Sequence, residues 1–115
     1  MILKDKLVEL GVDYYDGLNR FMGNQALFEK MLKKFPDNVR KLEVLSFIDA
    51  GDTATAVANA HTIKGVSGNL SLTPIFEAYT KIVSLLRDGN AEEAKTKLEE
   101  ILPVQEDIIK AIEEC

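Results

Sequence analysis

The only histidine of the chain, His61, stands in the stretch ANAHTIKGVSGNLSL (residues 58–72), with a lysine at Lys64 and glycines at Gly65 and Gly68. A neutral imidazole, whose ordinary pKa is about 6.5, is available as a nitrogen nucleophile at neutral pH. On a helix, a lysine three residues on lies about 5–6 Å away at Cβ, so its ammonium reaches an anion attached to the ring. Each glycine weakens a helix interior by roughly 0.5–1 kcal/mol relative to alanine. Two on one exposed face need a reason, and close approach of another molecule to the backbone supplies it. Together these residues suit phosphoryl transfer, which asks a protein chiefly for positioning and charge neutralisation.

Other chemistries lack their residues. A metal site is not expected: there is no His-x-x-x-His pair, and the residues four positions from His61 are Val57 and Gly65. The one cysteine, Cys115, is the last residue and closes no internal disulfide or metal knuckle. General acid/base work by His61 would need an orienting carboxylate, and its helix face offers none. No glycine-rich phosphate loop is present, so no nucleotide site is expected.

The elements that must position these residues are helical. Phe28, Leu32, Phe35, Val39, Leu42, Leu45 and Ile48 recur at steps of three and four, predicting one long helix capped by Asn24 and ended at Gly51 and Asp52. Pro36 should kink it or open a turn near Lys33 to Phe35. A second helix is expected over about residues 53–70. Thr73 as cap and Pro74 as first helical residue should open a third, bearing Ile75, Tyr79, Ile82 and Leu86. After the turn at Asp88 and Gly89, Asn90 with Glu93 resembles a capping box, and Ala94, Leu98, Ile101, Ile108 and Ile112 mark a fourth helix, with a second kink at Pro103. Residues 3–21 should add one or two short helices jointed at LGVDYYDGL. Short connections favour antiparallel neighbours, so the expected fold is all-α, an antiparallel up-down four-helix bundle with one or two short N-terminal helices. Phe28, Phe35, Phe47 and Phe76 follow helical stripes and are assigned to the core.

At about 100° per residue, His61, Val57, Lys64 and Gly68 share roughly a 60° arc, with Ala54 and Gly65 on its edges. Ile63, Val66 and Leu70 point the opposite way and should enter the core, which leaves His61 exposed.

With 115 residues and 46% hydrophobic content, one domain over residues 1–115 with a single core is expected. A formal charge of −5 argues against nucleic acid or an anionic membrane as partner. No apolar run approaches the ~20 residues that span a bilayer, and the N-terminus lacks the apolar core of a secretory signal, so a cytoplasmic location is expected.

The motif AHTIKGVSGNLSL resembles the pattern H-x-[LI]-K-G-x-[SA]-x-x-[LI]-G of the histidine-containing phosphotransfer (HPt) domains of two-component phosphorelays. FMGNQALFEKMLKKF is similar to that family's G-[DN]-x-x-L-[YF]-x-x-[LM]-L-x-x-F stretch, and DAGD to the turn before its histidine helix, so the likeness covers roughly residues 5–112. The resemblance implies that His61 is the phosphoacceptor through Nε2, that Lys64 neutralises phosphoryl charge and that Gly65 gives steric access, with Ala54, Val57 and Gly68 on the docking ridge. It implies response-regulator receiver domains as partners, with a hybrid sensor histidine kinase as a further candidate. It implies a phosphoryl carrier, not an enzyme, that binds no cofactor itself, the Mg²⁺ being held by the receiver. Three positions depart from the pattern. Ser71 replaces a glycine and should change the turn after the histidine helix. Tyr79 and Thr80 replace Leu-Glu, which alters an expected surface contact. Asn59 lies toward the core, where it needs a hydrogen-bond partner.

Contacts of this transient kind are small, often below about 1,200 Å² in total. The chain is expected to be a monomer. Sedimentation at micromolar concentration should give one species near 12.8 kDa, and a stable dimer would overturn this expectation.

Overall fold

The computed structural model describes residues 2–115, which form seven helices and no strand. Two short helices lead, α1 (Leu3–Glu9) and α2 (Tyr14–Arg20). Then come α3 (Gln25–Arg40), α4 (Leu45–Asp49), α5 (Thr53–Asn69), α6 (Thr73–Arg87) and α7 (Ala91–Glu114). The core joins Leu3, Leu7, Tyr14, Phe28, Leu32, Phe35, Ala60, Ile63, Ile75, Ile82, Leu98 and Ile108 with their neighbours in one cluster. The most extensive packing is α5 on α6 and α6 on α7.

Local chemistry sets three of the seven helix starts. Side-chain oxygens of Asp13, Asn24 and Asp52 accept from the backbone N–H three residues on, at 3.1, 3.0 and 3.1 Å, satisfying donors that a helix start otherwise leaves orphaned. Two expected caps are absent. Leu72, not Thr73, occupies the cap position of α6, and the Thr73 hydroxyl donates instead to the Ser71 carbonyl at 3.3 Å. Asn90 occupies the cap position of α7, but its side chain makes no cap bond, so the proposed box with Glu93 does not form. The two prolines expected to kink helices lie inside helices that run through them: Pro36 in α3 and Pro103 in α7.

The single long helix expected over residues 25–50 is two. The chain leaves α3 at Lys41 and starts again at Leu45. The reason lies in the spacing: Val39, Leu42, Leu45 and Ile48 follow at strict threes, and each step of three turns about 60° backwards on an α-helix. In one continuous helix Val39 and Ile48 would face opposite ways. The break resets the face, burying Val44 and setting Leu42, Leu45, Phe47 and Ile48 against the core. The Glu43 carbonyl, freed by the break, accepts from Asn59 Nδ2 at 2.7 Å. That bond is the partner Asn59 needed.

The N-terminal pair is fixed to α3 by shape. Gly17 of α2 is buried, and a Cβ there would lie 2.4 Å from the Phe28 ring, which Tyr14 meets edge-on at 5.1 Å. The Tyr14 hydroxyl donates to Glu29 at 2.8 Å.

Tyr79 is a core residue, 1% exposed, so its replacement of a leucine alters no surface contact. Its hydroxyl donates to Gln105 Oε1 of α7 at 2.8 Å, and burial raises its pKa. This pair joins α6 to α7 through two buried polar groups that satisfy each other. Tyr79→Phe and Gln105→Leu should each lower stability by about 1–3 kcal/mol, because each strands its partner. The double variant should recover much of the loss, read from equilibrium urea unfolding. Strictly additive losses would show that the two groups do not act as a pair.

Candidate functional site

Helix α5 carries the site. Its buried residues are Ala56, Ala60, Ile63 and Ser67, three of them small, with Leu70 following at the helix end. The buried Ser67 hydroxyl turns back on its own helix, donating to the Lys64 carbonyl at 3.1 Å. With that side committed inward, His61 faces solvent as expected.

The remaining candidate residues share its face. Ala54 and Gly65 are exposed, while Val57, Lys64 and Gly68 are half-buried. A Cβ placed on Gly65 would meet nothing within 4 Å, so the backbone one turn beyond the histidine lies open. No ion pair or side-chain hydrogen bond among the described residues engages either the His61 ring or the Lys64 ammonium. Other cations are committed, for example Arg40 to Glu113 at 2.7 Å and Lys95 to Asp49 at 3.0 Å. Among the described residues, no group of three or more His, Cys, Asp or Glu side chains is arranged to hold a metal.

Gly68 has a different neighbour from Gly65. A Cβ there would lie 2.8 Å from the Phe76 ring of α6, so glycine at this position is required by packing within the chain. Phe76, assigned to the core from its stripe, is 37% exposed and lies over this glycine at the surface. Beside it opens a cleft whose walls are Gly65, Gly68 and Asn69 of α5, Thr73 and Phe76 of α6, Ser71 between them, and Asp16 and Arg20 of α2. Sequence reasoning missed Arg20 and Phe76. They reach the α5 face only through chain crossings, and neither spacing nor residue type announces such crossings.

The sequence model of the Hpt domain family matches residues 26–114, and the chain belongs to that family. Domains of this family serve phosphotransfer in phosphorelays, as phosphoryl carriers that interact with receiver domains. The match begins later than the resemblance suggested, so α1 and α2 precede it. Neither the curated proteins nor the solved structures compared with the chain give a match. No helix among the described residues is long and apolar enough to cross a membrane.

Ser71, where the family pattern has glycine, adopts the left-handed conformation that glycine would, with φ of 54°. Serine thus stands at a position whose backbone favours glycine. Its hydroxyl compensates by donating to Asp16 Oδ2 at 2.5 Å, and its carbonyl accepts from the Asp13 N–H at 3.2 Å, tying the turn to the start of α2. The Ser71 hydroxyl, and after it Arg20, hold the Asp16 carboxyl below its ordinary pKa. A carboxyl lowered on folding adds stability that is present above its unfolded value, about 3.9, and lost as pH falls through its folded value. Ser71→Ala should therefore melt lower than wild type at pH 7, with the difference shrinking as pH drops below about 4. Ser71→Gly should melt above Ser71→Ala, because it relieves the left-handed strain. A wild-type minus Ser71→Ala difference that stays constant from neutral to acid pH would refute the linkage.

Proposed function

We propose that this protein is a histidine phosphotransfer carrier, accepting a phosphoryl group on His61 from an aspartyl phosphate of one receiver domain and passing it to another. The observation that carries the reading is the exposed His61 one turn from the open backbone at Gly65, in a chain of the Hpt family. The four longer helices α3, α5, α6 and α7 act as an antiparallel up-down bundle that holds α5 rigid under the reacting ring.

In the forward step the neutral ring, with its proton on Nδ1, attacks phosphorus through Nε2. The bond between phosphorus and the aspartyl oxygen breaks, and the receiver's carboxylate leaves with that electron pair. The Nδ1 proton exchanges with solvent, because the ring is exposed. The Lys64 ammonium, uncommitted to any carboxylate, offsets the phosphoryl charge, and at Gly65 the absence of a side chain leaves room for the receiver. Return transfer reverses the same bonds. The receiver supplies the Mg²⁺. The carrier has no autokinase activity of its own. Docking uses the ridge around His61, with Ala54 and Val57 at its N-terminal end and the Phe76-covered Gly68 at the other. The protein works as a cytoplasmic monomer.

The test is to incubate wild type and His61→Gln with Mg²⁺ and a panel of phosphorylated receiver domains. Acid-labile, base-stable label on wild type alone is expected, with receiver binding nearly unchanged in the variant. No label from any donor, with the protein folded and receivers still bound, would reduce the protein to a docking adaptor.

A further inference from the structure

We infer that the cleft between α2 and α6 is a specificity site for the receiver, in which Arg20 engages a carboxylate of the incoming domain and Phe76 packs against an apolar side chain beside it. This inference rests on the carrier reading above. Its first support is continuity: Gly65 and Gly68, which floor the cleft, lie within about 40° of His61 around the α5 axis. A domain large enough to present an aspartyl phosphate to His61 therefore overhangs the cleft.

The second support is the chemistry of the walls. Arg20 donates through Nε to Asp16 at 3.0 Å, which fixes the side chain and leaves its two terminal amino groups without a partner among the described residues. Asp16 Oδ2 takes the Ser71 hydroxyl as well. The Nε contact biases the orientation of the guanidinium, and its terminal amino groups stay open to an outside acceptor. A planar fork held this way suits a carboxylate. With Lys64 it places two cations beside a single wall carboxylate, Asp16, on a chain whose formal charge is −5. That local excess of positive charge complements an acidic partner surface.

Phe76 supplies the apolar half. It is 37% exposed and rests against Gly68, so the glycine sets the height of the ring in the cleft wall. Aromatic residues and arginine are both enriched at protein interfaces, and this cleft wall carries one of each. Arg20 also lies in α2, ahead of residues 26–114 that the family sequence model covers.

The experiment compares two phosphodonors with wild type, Arg20→Glu, Phe76→Ala and, as control for net charge, Arg87→Glu at the far end of α6. Phosphoramidate, a small donor that transfers its phosphoryl group to the ring and leaves as ammonia, needs no docking. A phosphorylated receiver that labels wild type does. For Arg20→Glu and Phe76→Ala, kcat/KM from the receiver should fall about tenfold, mostly through KM, with the rate from phosphoramidate unchanged. Arg87→Glu should match wild type with both donors.

Receiver kinetics unchanged in Arg20→Glu and Phe76→Ala would overturn the inference while leaving the carrier reading intact. An equal loss in Arg87→Glu would overturn it too, since the effect would then be long-range steering. So would a parallel loss with phosphoramidate, which would place the defect at the acceptor ring. A wild-type dimer that Arg20→Glu dissociates would assign the cleft to a second copy. Failure of wild type to accept from any receiver would instead refute the carrier reading itself.

Discussion

Close packing of α6 against the small-residue side of α5 is the contact on which the rest of the structure depends. Ala56, Ala60 and Ser67 are wholly buried with Ile63, and their short side chains bring the neighbouring helices near the α5 backbone. Burying that side fixes the rotation of α5 about its own axis. Rotation in turn decides that His61, Ala54 and Gly65 face water. A helix held by larger side chains would stand further off and tolerate more rotation, because interiors are packed too densely to leave such gaps unfilled. The chemistry of the site is thus set by what lies on the opposite side of its helix.

Three polar contacts lock this arrangement in register. Asn59 takes the Glu43 carbonyl released by the break between α3 and α4, which stitches that break to α5. The Ser71 hydroxyl and carbonyl tie the α5–α6 turn to α2. Tyr79 and Gln105 join α6 to α7 inside the core. For the buried Tyr79–Gln105 pair, a slip of α6 against α7 would leave a polar group without a partner at a cost of about 1–3 kcal/mol. No buried side-chain nitrogen or oxygen among the described residues lacks a hydrogen bond. The apolar core supplies the drive to compact, and these pairs choose which compact arrangement is reached.

The same economy shapes the charge around His61. Most carboxylates of this acidic chain lie elsewhere, with α7 alone carrying Glu92, Glu93, Glu99, Glu100, Glu106, Asp107, Glu113 and Glu114. The α5 face instead carries Lys64, with Arg20 beside its far end and Asp16, in the same cleft wall, bonded to Ser71 and Arg20. On the carrier reading, an acidic partner surface would meet these two cations on a protein of acidic overall charge. Such an arrangement favours orientation on encounter over strong, lasting binding.

Much of this was legible in the residues. The helices appeared through their periodicity, two starts through Asn24 and Asp52, and the exposed histidine with its lysine and open glycine through spacing alone. Those features are local, each decided within a few residues of chain. What the residues did not disclose depends on contacts between distant segments. The stripe from Val39 to Ile48 reads as one helix until burial of Val44 and the bond from Asn59 break it. Ser71 reads as a disturbed turn until Asp16, 55 residues away, holds it in a left-handed conformation. Phe76 and Gly68 read as core and interface until the crossing of α6 over α5 puts the ring on the glycine at the surface. Sequence by itself determined the helices and the reactive face, because hydrogen bonds and side-chain spacing within a helix are short-range. Only tertiary structure decided the cleft and the turn beside that face, because their energies arise between residues that the chain order keeps far apart.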